Sequence, residues 1–236
     1  VSEVEVYIPH IVEVAENLHE FLSDDDFITP FVRLGEFYRG QGLYSQAQYW
    51  YETGKEMAEQ RFGNEHPDVA TSLNNLAVLY YNQGRYEEAE PLYLQALDMS
   101  KKLLGEEHPS VASSLNNLAV LYHYQGRHEE AEPLYLQALD MKNKLLGEEH
   151  PSVASSLNDL AVLYQYQKRY KEAEPLFIHA LDIRKKLLGE EHPDVASSLN
   201  DLAALYYYQG SYEEAEPLYI QSLDMRKKLL GEEHPD

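Results

Sequence analysis

Apolar residues along most of the chain recur at three- and four-residue spacing, which is the spacing of one helix face. In the block at 68–83 this face consists of Leu73, Leu76, Ala77 and Tyr80. Gly84 ends the block at the place of a left-handed helix cap. The next block has a face made of Ala89, Leu92, Tyr93, Ala96, Leu97, Leu103 and Leu104, and Gly105 ends it. The pattern predicts two helices joined by a tight turn.

The same pattern returns every 42 residues, and the alignment needs no gap. Residues 110–151 and 152–193 are identical at 31 of 42 positions. Small residues such as Ala77 and Ala89 allow two helices to approach closely, while large residues fill the space around them. One helix pair cannot bury both of its apolar faces, so the pattern predicts pairs that stack into a solenoid.

These residues resemble a known repeat family. The residues that carry the resemblance are Leu73, Leu76, Ala77, Tyr80, Gly84, Ala89, Tyr93, Ala96 and Leu97. They resemble the tetratricopeptide signature. The 42-residue period, with LNNLAxLY, EEAEPLYLQAL and LLGEEHP, is similar to that of the kinesin-light-chain type, and the near-identity of the repeats resembles bacterial and cyanobacterial arrays. The resemblance implies an all-α, right-handed superhelical solenoid of antiparallel helix pairs.

The repeat sets the expected division of one continuous solenoid domain. We expect an N-terminal capping helix at 1–25, in which Tyr7, Ile8, Ile11, Val12, Ala15 and Leu18 share one face. The expected repeats are a diverged one at 26–67, then 68–109, 110–151, 152–193, and 194–236, which includes the start of a next unit. The last repeat is expected to expose an apolar strip, which favours self-association or continuation in a parent protein.

Composition narrows the function classes. The formal charge is −22, which disfavours nucleic acid and anionic membranes, since Lys and Arg dominate binding to both. No apolar run is long enough to predict a transmembrane helix. The absence of Cys excludes disulfides and thiolate zinc sites, and a cytoplasmic location fits it.

The first helices are the expected binding surface, because the resemblance implies that they line a concave groove. Residues 110–125 contain no charged side chain, whereas the second helices are rich in Glu. One amide ladder consists of Asn74, Asn116, Asn158 and Asn200, and its neighbouring rung consists of Asn75, Asn117, Asp159 and Asp201. Amides offer donors and an acceptor to a peptide backbone, but they equally bond to adjacent helices. Both interpretations are open.

One pair of positions near the end of each first helix varies among otherwise similar repeats. The pairs are Tyr81 with Asn82, His123 with Tyr124, Gln165 with Tyr166, and Tyr207 with Tyr208. Variation here predicts selection of ligand side chains, with drift at an exposed position as the alternative. In the turn that follows, Lys168 replaces glycine, so we expect it to adopt a positive φ.

Catalysis has little support in the sequence. The stretch GEEHP at 105–109 brings two carboxylates beside a histidine, but it recurs at the end of the later repeats, and the first repeat ends in the variant GNEHP. This recurrence predicts a joint: Gly ends one helix, Pro begins the next, and His or a neighbouring Glu caps it. We therefore expect no catalytic residue, metal or cofactor. The predicted function is a scaffold that binds a protein or extended peptide, neutral or basic rather than acidic. One alternative is a sensor or self-assembly array attached to a bacterial NB-ARC-type NTPase, because the segment at 7–42 resembles the lead-in of such arrays. The other alternative is a kinesin-light-chain-like cargo adaptor.

Overall fold

The computed structural model describes residues 6–230, and within them it contains α-helices and no strand. The helices are α1 (Ile8–Glu13), α2 (Thr29–Gly40), α3 (Tyr44–Phe62), α4 (Pro67–Asn82), α5 (Tyr86–Leu104), α6 (Pro109–Tyr124), α7 (His128–Leu146), α8 (Pro151–Tyr166), α9 (Tyr170–Leu188), α10 (Pro193–Gln209) and α11 (Tyr212–Leu230). None of the helices in this described range is long and apolar enough to cross a membrane.

The chain forms two compact units, one up to Leu121 and the other from Tyr122. In the first unit α1 packs on α2, α2 on α3, α3 on α4, and α4 on α5. In the second unit α7 packs on α8, α8 on α9, α9 on α10, and α10 on α11. Within each unit these helices therefore contact their neighbours in sequence, which is the packing of a solenoid of helix pairs and confirms the predicted fold class.

The N-terminal segment differs from the single regular helix that its apolar pattern predicts. The short helix α1 passes into a π-helical turn at Val14–Leu18 and a 3-10 turn at His19–Phe21. Ala15 is buried, and Ile11 packs on the core of the first unit, but Tyr7 and Leu18 are exposed. A π turn holds one more residue than an α turn, so it rotates the following positions away from the buried face.

In the diverged repeat at 26–67, larger side chains on one helix are matched by smaller ones on the helix packed against it. Phe31 stands where the next repeat has Leu73, and Gly54 stands where it has Ala96. A Cβ at Gly54 would lie 2.7 Å from the Cβ of Phe31, so the larger ring requires the smaller partner. Gly35 likewise replaces the alanine at 77, and a Cβ there would overlap the Tyr51 ring.

The joint between repeats is built as the repeated GEEHP stretch predicts. Gly147 ends α7 with φ 87° and ψ 154°, a region that only glycine enters readily. His150 then caps α8, because its Nδ1 accepts a hydrogen bond from the backbone N–H of Ser152 at 3.1 Å. Equivalent caps are made by His66, His108 and His192. In each of these histidines Nδ1 accepts the hydrogen bond that caps the next helix, and this structural role accounts for the repetition of the histidine.

The second glutamate of the joint makes an ion pair with the following second helix. Lys102 on α5 lies 2.5 Å from Glu65, and Lys228 on α11 lies 3.0 Å from Glu191. Both partners of each pair are exposed, so each pair contributes less than about 1 kcal/mol. The repeated carboxylates therefore serve the stacking of helix pairs.

Candidate functional site

The amide ladder lies in the middle of the first helices, and two of its hydrogen bonds run between those helices. Asn117 on α6 donates its Nδ2 to Oδ1 of Asn74 on α4 at 3.1 Å. Asn158 on α8 hydrogen-bonds the carboxylate of Asp201 on α10, which Asn200 also hydrogen-bonds from within α10. The two bonds between helices belong to the second of the two interpretations, in which the amides hold adjacent helices together. Contact with a peptide stays a prediction for Asn74, Asn116, Asn158 and Asn200.

The neighbouring rung carries a charge pattern that the sequence analysis did not explain. The buried Lys142 on α7 donates its Nζ to Oγ of Ser156 on α8 at 2.6 Å. Burial lowers the pKa of Lys142, and the nearby carboxylate of Asp159 opposes that shift. A lysine placed here thus requires an acidic neighbour, because a buried charge is costly without a partner.

The next repeat has the same arrangement with different residues. Arg184 on α9 donates to Oγ of Ser198 on α10 at 2.5 Å and lies near Asp201. Burial raises the pKa of Asp201, while hydrogen bonds and Arg184 act against that rise. In the second repeat Ser100 stands at the position of Lys142 and Arg184, and the residue of the neighbouring rung that follows it, at the position of Asp159 and Asp201, is the uncharged Asn117. The joint change of the two positions is the sequence signal that marks Asp159 and Asp201 as partners of bases in the preceding second helices.

In the second, third and fourth repeats an arginine holds the turn between the two helices together. The guanidinium of Arg127 lies 3.8 Å from the centroid of the Tyr122 ring, and that of Arg169 lies 3.9 Å from the Tyr164 ring. Each guanidinium also binds both oxygens of the glutamate three residues later. Arg85 makes the same contacts in its own repeat. These arginines are engaged with carboxylates and aromatic rings of the fold.

The variable pairs at the ends of the first helices have different exposures. His123 is only 7% exposed, and Tyr81 and Gln165 are half-buried. The exposed members of the pairs are Asn82, Tyr124, Tyr166, Tyr207 and Tyr208. Tyr166 is 67% exposed and Tyr208 is 62% exposed, although it is unfavourable to expose the apolar face of a tyrosine ring to water. These two rings are among the most exposed aromatic side chains of the second unit.

The structure brings three of these predicted residues together in one pocket. Gln165 and Tyr166 at the end of α8 and Tyr208 at the end of α10 line a cavity of about 260 Å³. Two residues that the variable pairs did not include, Lys168 and Tyr170, complete the wall. Lys168 has φ 61°, which confirms the predicted left-handed turn and is the only positive φ of a non-glycine residue in the described range 6–230. The signal for Lys168 was its departure from the repeated glycine.

His123 lies outside this pocket and turns inward. Its ring packs edge-on against Tyr166 at 4.8 Å and lies 5.1 Å from the ring of His128. Burial, and then the neighbouring His128, lowers the pKa of His123 to about 4. His123 is therefore neutral at pH 7, and its role as a groove residue in contact with a peptide stays a prediction.

With the helix pairs and this geometry in place, the family can be assigned. A model of the tetratricopeptide repeat matches residues 26–102, 69–144, 112–186 and 152–228. The chain belongs to the tetratricopeptide repeat family. The resemblance inferred from the signature residues, with its 42-residue period, is thereby confirmed. No match was found among curated proteins.

Solved tetratricopeptide structures place the chain near the kinesin light chains. The crystal structure of BtubC (BKLC) from P. vanneervenii is similar with a TM-score of 0.79 and 28% identity, covering 100% of this chain and 95% of that one. A Podosopora anserina protein, described as a kinesin light chain with nearly identical TPR-like repeats, has a TM-score of 0.68 and 30% identity, with 88% of this chain and 99% of that chain covered.

A third structure shares the fold alone. The Rap conjugation gene regulator of plasmid pLS20, solved in complex with the Phr* peptide, has a TM-score of 0.69 and 16% identity. The similarity covers 86% of this chain and 54% of that one.

The tetratricopeptide repeats account for the residues that first suggested chemistry. The joint histidines cap helices and the joint glutamates pair with lysines, as described above. Among residues 6–230, no group of three or more His, Asp or Glu side chains is placed to hold a metal ion. The features that distinguish one repeat from another include the pocket at Tyr166 and the pair of His123 and His128.

Proposed function

We propose that this chain is a non-catalytic scaffold that binds an extended segment of a partner protein, with one partner side chain seated in the pocket at Tyr166 and Tyr208. The observation that carries the proposal is the coincidence of the pocket with positions that vary among repeats. Four of its residues, Gln165, Tyr166, Lys168 and Tyr208, lie at positions where the repeats differ from one another.

The lining of the pocket indicates what it takes. Three tyrosine rings supply large, rigid and mostly apolar area with polar hydroxyls, which suits an aliphatic or aromatic side chain at a modest cost in entropy. The amide of Gln165 offers hydrogen bonds to the backbone of the bound segment. A helical-repeat protein of the same fold, the Rap regulator, was solved with a peptide, which agrees with peptide binding as a use of this fold.

The negative charge of this chain favours particular residues on either side of the partner residue that enters the pocket. The chain carries a formal charge of −22, and its exposed second helices are rich in glutamate, so the surrounding potential attracts basic residues and repels acidic ones. We therefore propose a partner segment with an apolar or aromatic residue for the pocket and neutral or basic residues on either side. Lys168 is the one cation in the pocket wall, and its extended stem adds apolar contact area.

Peptide selection on the whole 236-residue chain tests the proposal. Random twelve-residue peptides would be selected for binding and their affinities measured for the wild type, for Tyr166→Ala with Tyr208→Ala, and for Tyr49→Ala. Tyr49 is an exposed tyrosine on α3 and serves as the matched control. We expect at least a tenfold loss of affinity in the double variant and none in the control. Equal affinity for all three proteins would overturn the proposed site, and selection of acidic peptides would overturn the proposed charge preference.

A second candidate function, self-association, rests on the exposed face of α11. Phe177 and Leu181 on α9 are buried, whereas Tyr219 and Leu223 at the equivalent positions of α11 are exposed. A contact between copies through this face would bury both side chains. Residues 231–236, where a next unit was expected to start, lie outside the described residues. Size-exclusion chromatography with light scattering should show a concentration-dependent oligomer that Leu223→Gln abolishes, and a monomer at every concentration would reject this candidate.

The attachment to an NB-ARC-type NTPase and the cargo-adaptor role stay predictions from the resemblance.

A further inference from the structure

The third repeat differs from the others by a paired replacement across its turn. The two positions that flank the turn are Tyr81 and Tyr86 in the second repeat, and Tyr207 and Tyr212 in the fifth. Their ring centroids are 5.8 Å and 5.4 Å apart. In the third repeat both tyrosines are histidines, His123 at the end of α6 and His128 at the start of α7. Packing alone does not require both changes, because a tyrosine pair fits the same turn elsewhere.

The two histidines leave polar atoms unused in a buried place. Nδ1 of His123 and Nδ1 of His128 are both buried, and neither has a hydrogen-bond partner among the described residues. A buried polar atom without a partner costs free energy, so such atoms usually have a ligand, an ion or water as partner. The joint histidines differ in this respect, because their Nδ1 atoms accept capping hydrogen bonds.

The spacing of the two rings fits a shared metal ion. Their centroids are 5.1 Å apart, and the rings are inclined by 42°. A zinc ion bound about 2.0–2.1 Å from each imidazole nitrogen lies about 3.2 Å from each centroid, so a near-tetrahedral angle separates the centroids by about 5 Å. The observed separation of the centroids matches the separation that one shared ion would give.

We propose that the imidazoles of His123 and His128 together bind one divalent transition-metal ion of the class that imidazole favours, Zn²⁺, Ni²⁺ or Cu²⁺. Two protein ligands leave coordination positions for water. His128 also lines a cavity of about 440 Å³ with Arg127, Glu129, Glu130 and Gln167, through which solvent reaches this turn.

The repeats supply the variants for the test. His123→Tyr and His128→Tyr restore the residues of the second and fifth repeats, and both are expected to fold. The control is His179→Gln, which removes an exposed histidine of α9 at a position where the other repeats have Gln95, Gln137 and Gln221. Isothermal titration with Zn²⁺ would measure affinity and stoichiometry, and circular dichroism would confirm folding of each variant. Electron paramagnetic resonance with Cu²⁺ would count the nitrogen ligands.

We expect one Zn²⁺ per chain in the wild type and in the control, a rise of the melting temperature on adding Zn²⁺, and two nitrogen ligands on Cu²⁺. Each tyrosine variant should lose at least tenfold in affinity together with the rise in melting temperature. Unchanged affinity in folded His123→Tyr would overturn the proposal. Loss in His128→Tyr alone would also overturn it, because the metal would then be held by His128 with surface groups. Absence of stoichiometric binding to the wild type would show that the pair serves packing only.

Discussion

The third and fourth repeats make the same turn between their helices, yet the variable residues beside the turn differ in burial. The backbone turns through Gly126 at φ 76° in one and through Lys168 at φ 61° in the other. Beside each, an arginine stacks on a tyrosine ring and binds a glutamate, as described above. Near the end of the first helix the third repeat buries the ring of His123, whereas at the equivalent position of the fourth repeat the half-buried Gln165 lines a pocket.

The turn is held by residues that these two repeats share. The variable residues can therefore change without changing the backbone of the turn. The arginine, its glutamate and the tyrosine ring fix the backbone, so a change at 123 or 165 alters the surface without altering the turn. This division explains why a lysine is tolerated where other repeats have glycine. The role of a residue in one turn can therefore be tested by replacing it with the equivalent residue of the other turn.

The largest effect is expected from the buried histidine of the third turn. The pKa of His123 is lowered from 6.5 to about 4, first by burial and then by His128. The unfolded chain therefore binds a proton more readily than the folded chain between pH 6.5 and 4. The stability linked to neutral His123 is complete above pH 6.5 and is lost as pH falls towards 4. At about 1.4 kcal/mol per pKa unit, the loss of unfolding free energy is at most about 3.5 kcal/mol.

Urea unfolding at pH 7, 5.5 and 4 measures this effect as a difference between two proteins. In the wild type the free energy of unfolding should fall more steeply with acid than in His123→Tyr, which has no titrating group there. Metal-free buffers keep the measurement independent of the proposed metal site. Parallel curves for the two proteins would show that His123 does not titrate in this range.

Sequence alone predicted the backbone of both turns but not their surfaces. Gly84 and Lys168 were expected at positive φ, and both are there, because left-handed geometry is a local property that the residue pattern of a helix end reveals. The direction of His123 is not local. The same position is half-buried as Tyr81 and exposed as Tyr207, since its burial depends on the rings packed around it.

The pocket has a similar explanation. Gln165, Tyr166 and Tyr208 were identified because they vary, but Tyr170 also lines the pocket, and it comes from the start of the second helix and looks like the tyrosine of other repeats. Its contribution arises from three-dimensional proximity between two repeats. The amide ladder shows the converse: repetition of Asn74 and its equivalents was equally compatible with binding and with packing, and only side-chain geometry shows bonds between helices.

A smaller effect is expected from exchanging the residues that occupy the left-handed position. A non-glycine residue there costs about 1 kcal/mol, so Lys168→Gly should raise the free energy of unfolding by up to about 1 kcal/mol, and Gly126→Lys should lower it by a similar amount. Lys168→Ala is the control, since it removes the side chain but keeps the strained backbone. Equal stabilities for Lys168→Gly and Lys168→Ala would show that the backbone carries no strain there.

The smallest effect is expected from the ion pair that ties the fourth turn to the preceding second helix. Arg169 donates Nη1 to Oε2 of Glu132 on α7 at 2.8 Å, while its Nε and Nη2 bind Glu172. All three groups are partly open to solvent, so water and salt screen their attraction. A double-mutant cycle of Arg169→Lys and Glu132→Gln should give a coupling free energy of about 0.2–1 kcal/mol.

Lysine keeps the charge of Arg169 but loses the planar fork that binds two carboxylates at once, so the cycle measures geometry more than charge. The coupling should shrink when the salt concentration rises from 0.05 to roughly 1 M, where the Debye length falls to about 3 Å. A coupling near zero at low salt would mean that stacking on the Tyr164 ring and the bond to Glu172 suffice to hold the turn. A coupling well above 1 kcal/mol would instead mean that Glu132 orders the pocket wall, and the affinity for pocket-binding peptides should then fall in Glu132→Gln.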